Sequence, residues 1–237
     1  MKIIGHRGAK GLAPENTVAS LLKAVEHQVD AIETDARVTK DGVVILHHNE
    51  ALIDPDGTAL PIIETDFATL KAHKADLATL AEAISAINRR AILMIEITRR
   101  VDPKPVVAVV KQFLKDGWST DDFWFTSYDQ AALLAAHRAL PKISTVVLED
   151  WSTWRARHRM KQLGTNKVSM LDYWLWSGYI RAVTRSGYEL YCFPPKKQRG
   201  LLRALGDQSN DPKRAARWAK AGLAGVITDY PDRFEQR

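Results

Sequence analysis

Proton transfer at neutral pH needs histidine, and phosphate oxygens are best gripped by the planar fork of arginine. His6 and Arg7 stand side by side where the opening apolar run of "MKIIGHRG" stops. Further on, "AIETDAR" sets Glu33 and Asp35 two residues apart. On a strand that spacing turns both carboxylates to one face, where they repel each other unless a cation compensates them or the edge is solvated. "LMIEI" buries a third acid, Glu96, among apolar neighbours. A charge so placed needs a partner, either a salt bridge to Arg99 or Arg100 or a shared ion. Taken together, the three carboxylates predict a hard-cation site for Mg²⁺ or Ca²⁺, both of which favour oxygen ligands. Zinc suits the set less well, because the nearby histidines are needed for acid–base work. His47 and His48 end another short apolar run, "VVILHH", and neighbours on a strand point opposite ways, so one of the two faces the site. Two imidazoles beside a metal–carboxylate cluster suit paired acid and base roles.

Such groups must be held by rigid elements. The strand candidates are "KIIGH" (2–6), "AIETD" (31–35), "AILMIEI" (91–97), "FWFTS" (123–127), "TVVLE" (145–149), "KVSML" (167–171), "ELYCF" (189–193) and "GVITD" (225–229). Several are continuous apolar runs, as expected of parallel strands buried on both faces. Amphipathic stretches at 16–28, 103–117 and 129–140 lie between them, the first with Asn16 or Thr17 as its N-cap and the second bounded by prolines and Gly117. Strands alternating with helices, eight times, predict an α/β fold of the TIM (β/α)₈ barrel type. "VVILHH" follows the second strand after only "KDG", a turn signal, and predicts a small hairpin excursion on top of the barrel.

The 237 residues, 46% of them apolar, fit one barrel domain spanning 1–237, without a linker or repeat. The formal charge of +6 suits an anionic substrate; the dense runs 154–161 and 196–199 are expected to be solvated faces rather than a nucleic-acid stripe. Cys192 is the single cysteine, so no internal disulfide forms, and its apolar surroundings predict a packed thiol. With neither a leader pattern nor a membrane-length apolar stretch, the expected location is cytoplasmic.

In this order and at these positions the motifs resemble the glycerophosphodiester phosphodiesterase family. The resemblance is carried by "GHRGAKGLAPENTVASLLKAVEHQVDAIETDARVTKDGVVILHHNEAL", then "LATLAEAI" (77–84), "LMIEI" (93–97), "FTSYDQAALLAAHRALP" (125–141) and "GLAGVITDYPDRF" (222–234). It implies a barrel with a divalent metal at its C-terminal face and hydrolysis of a glycerol phosphodiester to sn-glycerol 3-phosphate and an alcohol. By position, His6 and Arg7 match the family's His-Arg pair, Glu33 and Asp35 its Glu-x-Asp metal ligands, and Glu96 its third ligand. "HNEAL" (48–52) matches the pattern around its second catalytic histidine, which makes His48 the match. Glu15 and Asn16 match the family's Pro-Glu-Asn-Thr turn, read as an orienting and helix-capping element with a direct role in the site as the alternative.

Three positions depart from the pattern. Asn49 stands where the family has Asp, Thr98 where it usually has a lysine facing the substrate phosphate, and "CFPPKKQ" replaces Trp-Thr-Val-Asn. Phe193 keeps an aromatic there, and Lys196 or Lys197 could restore the charge lost at Thr98. The implied partner is a small glycerophosphodiester, with no nucleic acid and no stable membrane insertion; the oligomeric state is not implied. Two alternatives are a lysophospholipase D-type phosphodiesterase and a non-catalytic phosphodiester-binding barrel.

Overall fold

A computed structural model describes residues 1–54, 56–150, 153–195 and 208–234. The elements run β1 (Lys2–Gly5), α1 (Val18–Glu26), β2 (Ala31–Val38), β3 (Val44–Leu46), β4 (Ala51–Ile53), β5 (Ala59–Pro61), α2 (Phe67–His73), α3 (Leu80–Ile87), β6 (Ile92–Ile97) and α4 (Pro103–Lys115). They continue with β7 (Phe123–Ser127), α5 (Gln130–Ala139), β8 (Ser144–Glu149), α6 (Thr153–Leu163), β9 (Lys167–Leu171), α7 (Ser177–Arg185), β10 (Glu189–Phe193), α8 (Pro212–Lys220) and β11 (Gly225–Thr228).

The sheet order is β1-β11-β10-β9-β8-β7-β6-β2, and a β1–β2 pairing closes it into an eight-stranded parallel barrel. All eight expected strands are present. The pleat sorts their side chains. Ile4, Ala31, Met94, Trp124, Val146, Tyr191 and Ile227, one from each of seven barrel strands, fill the interior. Their neighbours, such as Ile3, Ile32, Leu93, Phe125 and Val226, face outward into the larger core under the helices. Cys192 is in that outer core, free and buried, and burial pushes its thiol's ionisation up. It is packing material, as its neighbours in sequence suggest.

β3 pairs antiparallel to β2 and is not one of the eight strands of the closed barrel, so "VVILHH" does leave the barrel as a hairpin strand. The excursion is larger than the turn signal predicts. β4 and β5 form a second hairpin, and with α2 they close over Ile45, Leu52, Ile62, Leu70 and Leu77. Those strands are three residues each, too short to carry a readable period. No helix among the described residues is long and apolar enough to cross a membrane.

Candidate active site

The pleat that packs the interior also aims the acids. Ala31 is inward on β2, so Glu33 and Asp35 are inward too; Met94 is inward on β6, so Glu96 follows it. Register sets Asp35 opposite Glu96. One oxygen or more from each of Glu33, Asp35 and Glu96 lies within 4.8 Å of the others. Glu33 is 4% exposed and Asp35 1%, so water screens little of their repulsion.

Burial, then Asp35 and Glu96, raise the Glu33 carboxyl well above its ordinary range. Burial would raise Asp35 as well, but Arg7, His48, a hydrogen bond from Asn16 and His6 outweigh it and hold Asp35 below its usual value. The three acids have the donor type and spacing for a hard divalent cation, which would relieve the repulsion that loads Glu33.

The loop after β1 is built around this cluster. Arg7 adopts φ 51, a left-handed conformation that non-glycine residues rarely take. In that pose its backbone N–H donates to Glu33 Oε2 at 3.0 Å, while its carbonyl accepts from the Asn16 N–H at 3.0 Å and the Ser20 hydroxyl at 2.9 Å. The guanidinium donates to Glu15 at 2.8 Å and places Nε 3.1 Å from Asp35 Oδ2. Gly8 follows at φ 85, where a Cβ would collide with Ser20. Asn16, also left-handed at φ 57, does not cap α1; Thr17 does, accepting from the Ser20 N–H at 3.2 Å. The Asn16 amide instead donates to Asp35 Oδ2 at 2.9 Å and accepts from the Thr34 hydroxyl at 2.7 Å and the Asp35 N–H at 3.2 Å.

His6 continues the inward row of Ile4, and its Nδ1 lies 2.7 Å from Asp229 Oδ1, with Nε2 4.0 Å from Glu33 Oε2. Burial lowers its pKa to about 4, despite the opposing hydrogen bond to Asp229. An ionised carboxylate only accepts, so Nδ1 carries the proton and Nε2 presents a lone pair. Asp229 is kept below its usual range: burial raises it, but the bond to His6 and the charges of His6 and Lys10 prevail. Lys10 Nζ lies 3.3 Å from the same oxygen, and Asn210 accepts the Asp229 N–H at 2.8 Å. Sequence reasoning overlooked Asp229. The available signal was its place two residues beyond inward-facing Ile227.

His47 and His48 come just after β3 ends, so strand alternation does not separate them. The His47 N–H donates to the Asp35 carbonyl at 2.9 Å, but its ring turns to the Asn49 carbonyl at 3.1 Å. The His48 Nδ1 sits 3.0 Å from Asn49 Oδ1, and Arg37 clamps the His48 carbonyl at 2.8 and 3.2 Å. Asn49 therefore holds the imidazole by a neutral carbonyl. Thr98 offers no charge and is turned aside, its hydroxyl donating to the Ala36 carbonyl at 3.1 Å. Lys196 and Lys197 lie outside the described residues.

The model of the glycerophosphoryl diester phosphodiesterase family matches residues 6–233. The chain is 24% identical over 258 residues to a glycerophosphodiester phosphodiesterase of Bacillus altitudinis, covering 98% of this chain and 96% of that one. A phosphodiesterase of Oleispira antarctica, solved with the product sn-glycerol 3-phosphate, superposes with a TM-score of 0.80 at 24% identity, covering 99% and 95% of the two chains. The glycerophosphodiester phosphodiesterase of Agrobacterium tumefaciens C58 gives 0.77 at 20% identity and full coverage of both.

Proposed function

The chain belongs to the glycerophosphoryl diester phosphodiesterase family, and on that premise we propose that it hydrolyses glycerophosphodiesters to sn-glycerol 3-phosphate and an alcohol. The observation that carries this is the Asp229–His6 pair beside the carboxylate cluster. His6, uncharged at neutral pH and fixed in one tautomer, takes the proton of the attacking water at Nε2. His48, held at Nδ1 by Asn49, returns a proton to the leaving alcohol oxygen. Arg7 places its charge at the phosphoryl oxygens and, through its backbone N–H and Nε, keeps Glu33 and Asp35 in position.

Glu33, Asp35 and Glu96 would hold the divalent ion, Mg²⁺ or Ca²⁺, which when bound polarises the phosphoryl group and offsets its developing charge. The proposal is of a single-domain, cytoplasmic enzyme of glycerol and lipid metabolism. A lysophospholipid diester is the second substrate class, favoured by Trp154 and Trp176. They are 77% and 62% exposed and stand at the starts of α6 and α7, on the face where the strands end.

The test is release of sn-glycerol 3-phosphate from glycerophosphocholine, glycerophosphoethanolamine and glycerophosphoinositol by metal-stripped protein, with Mg²⁺ or Ca²⁺ restored. Lysophosphatidylcholine is assayed in parallel for choline, because its hydrolysis leaves an acylated glycerol 3-phosphate. Metal-dependent product from the water-soluble diesters is expected. Choline release from the lysolipid alone would favour the second class, and silence on all four would overturn the proposal.

A further inference from the structure

Across the mouth from His6, a group of side chains from four strand ends converges on one ring. Tyr128 extends the inward row of Trp124 and Thr126 past the end of β7, Asp150 extends that of Val146 and Leu148 past β8, and Phe193 packs on the interior cluster from β10. The Tyr128 hydroxyl donates to Asp150 Oδ1 at 2.7 Å, and its ring meets Phe193 edge-on at 6.4 Å. The exposed Arg99, just past the end of β6, lays its guanidinium 5.0 Å from the centre of the Tyr128 ring. Burial, with the charges of Asp150 and Glu96, pushes the Tyr128 hydroxyl's ionisation far up.

We propose that this shelf of Arg99, Tyr128 and Phe193 receives the alcohol limb of the diester and selects neutral polyol or anionic alcohols against cationic ones. The inference rests on the phosphodiesterase activity proposed above. The two limbs of a phosphodiester leave the phosphate in different directions. The β1 and β11 side of the mouth is filled by Arg7, Lys10 and the His6–Asp229 pair, which leaves the second limb to pass over Tyr128 and Phe193.

An exposed tyrosine face attracts a choline or ethanolamine ammonium. Here one face is already covered by the guanidinium of Arg99, so a second cation on that face meets repulsion. Asp150 meets the ring at its hydroxyl end, not over its face. Polyol hydroxyls and anionic groups instead find the donors of the guanidinium fork.

The test compares kcat/KM for glycerophosphoinositol, glycerophosphoglycerol and glycerophosphocholine in the wild type, Arg99→Gln, Arg99→Lys and, as a charge control on the neighbouring residue, Arg100→Gln. The wild type should favour the inositol and glycerol diesters. Arg99→Gln should erode that preference about three- to tenfold, mainly through KM. Arg99→Lys should retain part of it, and Arg100→Gln all of it. A wild-type preference for choline, or an equal change on all three diesters in Arg99→Gln, would overturn the proposal. Calorimetric binding of the same diesters to His6→Ala, with and without Arg99→Gln, reads the shelf without turnover. If no diester is cleaved but the Arg99-dependent binding preference remains, the hydrolytic proposal fails and the shelf stands. Equal binding of all three sinks the shelf itself.

Discussion

At the scale of single residues, the two histidines are held by different chemistries, and the difference is testable. Asp229 gives His6 Nδ1 an ionised acceptor at 2.7 Å, whereas Asn49 gives His48 Nδ1 a neutral carbonyl at 3.0 Å. Replacing Asp229 by Asn removes the charge that fixes the tautomer but keeps the volume. kcat should then fall about a hundredfold or more. KM, divalent affinity and the melting temperature should stay close to wild type, because Asp229 touches none of the three acids of the cluster. An unchanged kcat would remove Asp229 from the mechanism. Asn49→Asp acts in the other direction. A carboxylate beside His48 favours the imidazolium, so an acid at that position stays protonated to higher pH. The alkaline limb of the kcat/KM profile should move up by about one unit, whereas an unmoved limb would show that His48 is not the proton donor.

At the scale of elements, the loop between β1 and α1 does what neither flanking element could do alone. Two left-handed residues, Arg7 and Asn16, fold it back so that a backbone N–H, a guanidinium and an amide all meet the acids of β2. Strain of this kind costs on the order of 1–3 kcal/mol per residue and persists only where surrounding bonds demand it. Asn16→Ala should therefore keep α1, whose cap is Thr17, yet lower divalent affinity about ten- to a hundredfold by titration calorimetry, since Asp35 loses its orienting partner. Wild-type affinity in that variant would mean that Arg7 alone positions Asp35. The same loop marks the limit of what the sequence could tell. Strands 123–127, 167–171 and 189–193 were legible to the residue because their apolar runs end sharply at turns. Glu33, Asp35 and Glu96 were legible as a cluster because the pleat has a period of two. Asn16 fitted a helix cap equally well in sequence, and only the left-handed backbone separates the two roles. Arg159 was lost in a charge run that reads as solvated. It is turned inward, donating to the carbonyls of Leu148, Ser127 and Tyr128 at 2.7–3.0 Å, while Arg155 and Arg157 beside it are exposed. Period, composition and turn signals do not reveal which member of a charged run will find a carbonyl.

At the scale of the whole molecule, closing eight strands forces every inward side chain near their C-terminal ends toward one axis, and Glu33, Asp35 and Glu96 meet there as a cluster. The barrel thus concentrates negative charge where its own packing excludes water, and Glu33 registers the cost as a raised affinity for protons. A group whose folded pKa is raised contributes stability that is full below its unfolded pKa and lost as pH rises through the folded value. In the metal-free chain, Glu33 should therefore favour the folded state at low pH and load it with repulsion once pH passes its raised folded value. A bound divalent ion reverses that balance, because it needs the carboxylates ionised. At a hundred times its dissociation constant it should add about 2.7 kcal/mol, or roughly 5–10 °C in melting temperature for a chain of this length. That increment should shrink as pH falls and protons compete for Glu33. Glu33→Gln separates the two effects in one variant. It keeps an oxygen for the Arg7 N–H but removes one charge of the three. By scanning calorimetry over a rising pH series, its metal-free form should melt above the metal-free wild type once Glu33 ionises, while the increment from Mg²⁺ or Ca²⁺ is lost or greatly reduced. A metal-free Glu33→Gln protein that melts lower would mean that Arg7 already neutralises the cluster. A full divalent increment in that variant would place the ion elsewhere in the barrel.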